Sequence, residues 1–332
     1  MKSRFLVGVA TLSAVAITIG GAAVAQRAGR FRQIIQMEQQ HRGALPANPN
    51  MSPLTAPGDY RFSFVHDGIT REYLVHVPRS YKGGRTPMLV ALHGGGGDAD
   101  FQADDSKYKL ISKSEAVGFI AVFPNGYSRL GGVLATWNAG ACCGAAQKNN
   151  VDDVGFLREV IQRVERQANI DRSRVFMTGM SNGALMSWRM ACEASELVRG
   201  IAPVEGTDNT AHCTPSRPVP VIEFHSLDDD HIPISGGKGV SALTDTDFAS
   251  VPSTQAKWVQ LNRADPNAKR VLTVAGAHCD LHAAKPGGAP VELCLTDTGG
   301  HSWPGSGTQQ GRKAPSMAIS ANDLMWSFFS SL

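Results

Sequence analysis

Arg174-Val-Phe-Met-Thr-Gly-Met-Ser-Asn-Gly-Ala184 joins an apolar run to a helical stretch, Ala184–Glu193, through a turn built on Gly179 and Gly183. G-x-S-x-G between a strand and a helix is a nucleophile elbow. Its logic is steric. The serine occupies a tight, strained turn, and the two glycines leave room for neighbouring segments to approach. The turn lifts Ser181 Oγ clear of the sheet edge. The helix that follows points its N-terminal partial positive charge at the same place, where it favours an oxyanion.

Working outward, the same kind of short apolar run recurs at Met88–Leu92, Phe119–Phe123, Gly200–Val204, Val219–Phe224 and Val291–Leu295. Continuous apolar runs suit strands buried on both faces. Helical patterns lie between several of them. The clearest is Asp153–Asn169, where Val154, Leu157, Ile161 and Val164 share one face, with Asp152 or Asp153 as cap. Strands alternating with helices predict an α/β fold: a mainly parallel, twisted sheet flanked by helices. Before it, Tyr60–His66 and Arg71–Val77 flank Asp67-Gly68, which predicts an N-terminal antiparallel hairpin. Residues 235–256 are rich in Gly, Ser and Thr and read as a surface loop.

A serine hydroxyl needs a base near neutral pH. Of ten histidines, His301 lies in a Gly-bounded loop, Thr298-Gly-Gly-His-Ser-Trp-Pro-Gly305, after the last predicted strand. His93 precedes Gly94–Gly97 and is expected to shape that loop. An imidazole base needs an acid to fix its tautomer. Asp228, Asp229 and Asp230 follow the strand Val219–Phe224, and each is a candidate. A metal site from His225, these acids and His231 would be the competing use, but the run lacks ligand-presenting helical spacing. For the oxyanion, Leu92-His-Gly-Gly-Gly-Gly-Asp98 is an HGGG-type loop. The expected donors are the N–H of Gly95, with Gly96 as competitor, and the N–H of Asn182. No Lys-Ser/Thr follows the glycines, so a phosphate cradle is not indicated. The order Ser181, an acid from 228–230, then His301 is that of the α/β-hydrolases.

The remaining composition bounds the rest. The 332 residues carry 32 Lys and Arg against 29 Asp and Glu, with 18% charged residues and 35 glycines. Neither the balance nor any basic run makes a nucleic-acid footprint. Met1-Lys-Ser-Arg4 precedes an uncharged run ending Ala23-Val24-Ala25, a signal-peptide pattern with cleavage expected after Ala25. The alternative is an uncleaved anchor. Residues 26–57 read as a short helix near Phe31–Gln40 and a Pro-rich linker, and residues 58–332 as the catalytic domain. The expected location is secreted or periplasmic, without stable membrane association after cleavage and without a protein partner. Six cysteines in an exported chain suggest disulfides. Proximity favours Cys192–Cys213 and Cys279–Cys294, leaving Cys142 and Cys143 to bond each other or pair elsewhere.

Five stretches together, Leu92–Gly97, Trp137-Asn-Ala-Gly-Ala-Cys-Cys-Gly144, Asp152-Asp-Val-Gly-Phe156, Gly179–Ala184 and Gly299–Gly305, resemble the secreted feruloyl esterase and polyhydroxybutyrate depolymerase family. The resemblance covers roughly residues 58–332. It implies an α/β-hydrolase fold and ester hydrolysis without a cofactor; no metal site is expected, and the partner expected is an ester or polyester substrate. The family's acid motif is His-Gly-Thr-x-Asp-x-x-Val-Pro. Aligning His225 and Pro233 places the acid on Asp229, with Asp228 as competitor, and leaves Ser226 and Leu227 where the family has Gly-Thr. Trp137 and Trp303 are expected to flank the cleft, where an indole face would suit an aromatic acyl group or a polyester chain. The expectation is a serine esterase acting on feruloyl or acetyl polysaccharide esters or on polyhydroxyalkanoate-type polyesters. A serine peptidase of the same fold and a catalytically silent polymer-binding protein are the alternatives.

Overall fold

A computed structural model describes residues 48–307 and 313–332. The leader and the helix expected near Phe31–Gln40 lie outside the described residues. The strands are β1 (Gly58–His66), β2 (Ile69–Val77), β3 (Thr86–Leu92), β4 (Ile120–Pro124), β5 (Ile170–Met180), β6 (Gly200–Val204), β7 (Val221–Ser226), β8 (Lys269–Val274), β9 (Ala277–His282) and β10 (Val291–Thr296). The helices are α1 (Ala99–Ala103), α2 (Asp105–Tyr108), α3 (Leu110–Val117), α4 (Gly144–Lys148), α5 (Asp153–Gln167), α6 (Asn182–Glu193), α7 (Val251–Leu261) and α8 (Ala321–Ser330).

All ten strands form one sheet in the order β1-β2-β4-β3-β5-β6-β7-β10-β9-β8. Six of them, β4 through β10 in that order, pair in parallel, and an antiparallel hairpin closes each side. This is the α/β-hydrolase layout expected from the sequence, with the hairpin β1–β2 turning at Asp67-Gly68. The hairpin β8–β9 was not legible in the sequence. Its strand β8 carries Val271, Leu272 and Val274 behind Lys269 and Arg270, but the strand is mostly exposed, so it lacks the long apolar run of a buried strand.

The parallel strands are buried end to end; every residue of β3, β4, β6 and β7 is inside. Each face of the sheet carries its own apolar layer. On one, α5 contributes Leu157, Ile161 and Val164, joined by Leu185 and Trp188 of α6 and Trp258 of α7. On the other, Tyr108, Phe119, Phe176, Met325 and Phe329 pack together. Asp152 caps α5, its side chain accepting from Gly155 N. Helix α7 begins at Val251, so residues 251–256 of the expected loop are helical.

Residues 48–57, in the segment read as linker, lie against the domain. Asn48 bridges to Phe62, and the buried Leu54 donates its N–H to Gln167 O. The cysteines pair as Cys192–Cys213, Cys279–Cys294 and the adjacent Cys142–Cys143. Among the described residues no helix is long and apolar enough to cross a membrane.

Candidate active site

The parallel strands end on one rim, and the loops leaving β3, β5, β7 and β10 meet there. At the end of β5, Ser181 adopts φ 55° and ψ −119°, a conformation that a non-glycine residue holds only when its surroundings enforce it. Two glycines make that possible. A Cβ on Gly179 would sit 2.5 Å from the Gly183 carbonyl, and one on Gly183 would sit 2.3 Å from Leu92 O. Ser181 N donates to Val204 O, which ties the turn to β6. Helix α6 starts at the next residue, so Asn182 N–H is one of the helix's unpaired first donors.

Gly94–Gly97 lie beside the elbow. Gly95 approaches Asn182, with 3.5 Å from its ideal Cβ position to Asn182 Cβ. Gly96 N–H is engaged by Ala135 O and Gly97 N–H by Gly94 O. Among the described residues no acceptor takes the N–H of Gly95 or Asn182. Of the two glycines weighed as donors, the engaged N–H of Gly96 leaves Gly95. The Asn182 side chain is itself fixed: its Oδ1 accepts from Trp137 N at 2.8 Å, and its Nδ2 donates to Trp137 O at 3.1 Å. His93 is fully buried. Its Nδ1 bonds Gly94 O and its Nε2 accepts from Gly126 N, so the ring is neutral and braces the glycine loop. Burial pushes its pKa down to about 4.

Ser181 and His301 line the same cavity, of about 380 Å³. His301 Nδ1 is 2.7 Å from Asp229 Oδ2. The other carboxylate oxygen, Asp229 Oδ1, accepts from the backbone N–H of His231 at 2.7 Å and of Ile232 at 3.0 Å. Burial works to raise the Asp229 pKa. The charge and hydrogen bond of His301, with help from His225 and Glu205, outweigh it and hold the group far below the usual carboxylate range. Asp228 faces elsewhere. It accepts from Ser226 Oγ at 2.6 Å and Gly300 N at 2.7 Å and pairs with Lys313 Nζ at 2.8 Å. It therefore clamps the loop that carries His301. Ser226, which stands where the family motif has Gly, supplies one of that clamp's donors. Asp230 bonds Ser241 Oγ and His231 Nδ1.

The expectation for Trp137 and Trp303 is corrected. Neither lines the cavity, and both are completely buried. Trp137 Nε1 donates to His93 O, and its ring lies tilted against His93 and stacks on Phe156. Trp303 Nε1 donates to Asn322 Oδ1, with its ring against the edge of Tyr108. Both indoles found interior acceptors, which satisfies their N–H and frees their apolar area for the core. The cavity walls come instead from Phe101, Tyr108, Leu185, Ile232 and Phe248. His231 also reaches the cavity, its ring parallel to that of His301 at 4.5 Å and 11°. Its place two residues after Asp229 was the available sequence signal. Asp229, His231 and His301 bring potential ligand atoms within 4.8 Å of one another. The Asp229 oxygens, however, are already taken by three N–H donors. An imidazole held by an ionised carboxylate can accept a proton from a hydroxyl in the same cavity.

Comparison with known proteins agrees with this layout. Residues 71–205 match the family described as Esterase PHB depolymerase. Feruloyl esterase B of Piromyces equi is 26% identical over 239 residues, covering 70% of this chain and 42% of that protein. A bifunctional acetylxylan esterase/xylanase of Neocallimastix patriciarum is 25% identical, covering 60% of this chain and 28% of that protein. The chain thus spans less than half the length of these two relatives. A probable feruloyl esterase C of Aspergillus niger is 27% identical over 178 residues, covering 52% of this chain and 60% of that protein. Among solved structures, the acetyl xylan esterase from Aspergillus awamori superposes with a TM-score of 0.55 at 14% identity, covering 87% of this chain and 100% of that one. At that identity the likeness speaks for the fold alone. The family match over residues 71–205 and these relatives agree: the chain is similar to the PHB depolymerase and feruloyl esterase family.

Proposed function

We propose that this chain is a serine carboxylic-ester hydrolase that works through an acyl-enzyme. One observation supports this above the others: Ser181 and His301 line one cavity, and His301 is hydrogen-bonded to an ionised, buried Asp229. Ser181 Oγ attacks the ester carbonyl while His301 takes its proton. Asp229 holds the imidazole's tautomer and stabilises the imidazolium. The N–H groups of Gly95 and Asn182 donate to the oxyanion. His301 returns the proton to the departing alcohol. Water, deprotonated by His301, then cleaves the acyl-enzyme and frees the acid.

The acyl group we assign is apolar: a hydroxycinnamoyl or acetyl group from a polysaccharide ester, or a hydroxyalkanoyl unit of a polyester. The aromatic and aliphatic cavity walls and the relatives' names support this range. Export to the periplasm or beyond is part of the same proposal, supported by the Met1–Ala25 pattern and the paired cysteines.

A panel of methyl ferulate, acetylated xylan, short-chain acyl esters, hydroxybutyrate oligomers and a peptide amide tests the assignment. Turnover of at least one ester class above the amide is expected. Cleavage of the amide alone would make the protein a peptidase, and no turnover of any member would leave it a binding protein.

A further inference from the structure

A second buried ionisable set lies behind Asp229. Glu205 follows β6, Glu223 and His225 lie on β7, and all three are fully buried. Glu223 lies six residues before Asp229, whereas Glu205 is distant in sequence from both Asp229 and His301, and the pairing of β6 with β7 brings it there. His225 Nε2 donates to Ile232 O at 2.9 Å and lies 3.6 Å from Glu205 Oε2 and 3.7 Å from Asp229 Oδ2. Its Nδ1 is 3.7 Å from Glu223 Oε1. Glu223 is held from α7 by Gln255 Nε2 at 2.5 Å. Among the described residues, His225 is the only ion-pair partner of either glutamate.

Glu205 and Asp229 each bring a carboxylate oxygen within 4.8 Å of the other, both beside His225. Two buried carboxylates this close are best accommodated when one carries a proton and donates it to the other, because both are otherwise acceptors. The donor count says which one. Asp229 takes three N–H donors, from His231, Ile232 and His301. Glu205 takes one, from Ser226 N at 3.1 Å, and its Oε1 meets no partner among the described residues. Three donors stabilise the charge on Asp229 far better than one stabilises it on Glu205. Burial first, and then the adjacent Asp229, push the Glu205 pKa well above the ordinary range.

We propose that Glu205 is a protonated positioning residue whose O–H donates to the Asp229 carboxylate, leaving Asp229 as the ionised group that faces His301. An ionised Glu205 would set two charges side by side. It would drive the proton onto Asp229, which would then lose its hold on His301. The kinetic part of this proposal rests on the esterase reading above; the protonation state does not.

Two substitutions and one spectrum test it. Glu205→Gln keeps a neutral donor and an acceptor and should hold kcat within about threefold. Glu205→Leu removes the donor and should lower kcat by roughly 10- to 100-fold with KM little changed, since it misaligns a group that acts through another. One component of the infrared carbonyl band of protonated carboxyls should be present in the full chain, move in D₂O, be lost in the Glu205→Gln difference spectrum and persist in Ser181→Ala. Persistence there keeps the proton's assignment separate from any failure of the catalytic reading. Loss of kcat in Glu205→Gln equal to that in Glu205→Leu would mean that a charge is required. Unchanged kcat in Glu205→Leu would remove the positioning role. Absence of that component would remove the proton. Should Glu205→Leu fail to fold, the Gln variant and the spectrum still decide.

Discussion

The two walls of the cavity are built from different materials. On the nucleophile wall, backbone does the work. Ser181 is held at φ 55° by a turn in which Gly179 and Gly183 touch neighbouring backbone, and the oxyanion donors proposed beside it are N–H groups of the glycine loop and of α6. On the histidine wall, side-chain carboxylates do it. Asp229 holds the ring, Asp228 clamps the loop through Gly300, and Glu205 lies behind them. A wall of backbone fails by steric clash and takes the fold with it. A wall of carboxylates fails by charge or tautomer and can leave the fold intact.

The sharpest test of that contrast is Asp229→Asn. An amide facing His301 Nδ1 favours the wrong tautomer, and kcat should fall by roughly 10³- to 10⁴-fold in a protein that still folds. Equal loss of folded protein would show that Asp229 is chiefly structural. Gly183→Ala should do the reverse. Its Cβ would meet Leu92 O at 2.3 Å. A destabilisation of about 3 kcal/mol or more is expected, a drop of roughly 6–12 °C in melting temperature. An unchanged melt would show the elbow to be softer than described. Asp228→Ala comes next, with a loss of about tenfold in kcat, because it loosens a loop without touching the ring's tautomer. A loss as large as that of Asp229→Asn would make Asp228 the acid.

The smallest effect is one of pH on stability. Burial and the neighbouring Asp229 raise the folded pKa of Glu205 well above the ordinary glutamate value. Such a group contributes its full stability below the unfolded value and loses it as pH rises, because the unfolded chain ionises first. Wild type should therefore lose stability relative to Glu205→Gln as pH rises above the ordinary glutamate range. Asp229, depressed in the fold, has the opposite sign: its contribution is present above the ordinary carboxylate range and fades as pH falls. Parallel melting curves for wild type and Glu205→Gln would mean that Glu205 is not shifted.

The same contrast explains what the sequence revealed. The elbow was legible because its requirement is local: a glycine on each side of Ser181, between an apolar run and a helix. The buried parallel strands were legible for a similar reason, since a continuous apolar run has few other homes. The acid was harder. Asp228, Asp229 and Asp230 are neighbours of one chemistry, and only the fold turns Asp229 toward His301 and the others away. Glu205 gave no signal, because its partner is set by the pairing of β6 and β7 rather than by spacing. Trp137 and Trp303 misled because an indole has the same apolar bulk in a core as in a cleft. Their N–H partners, His93 O and Asn322 Oδ1, could be seen only in three dimensions.

The central claim is that Ser181 is a nucleophile made reactive by His301. A fluorophosphonate traps such a hydroxyl covalently, and mass spectrometry of the peptide locates the adduct. A single adduct on Ser181 is expected, formed rapidly in wild type and far more slowly in folded His301→Ala. An adduct on another residue, or labelling and p-nitrophenyl ester turnover that survive in Ser181→Ala, would contradict the account.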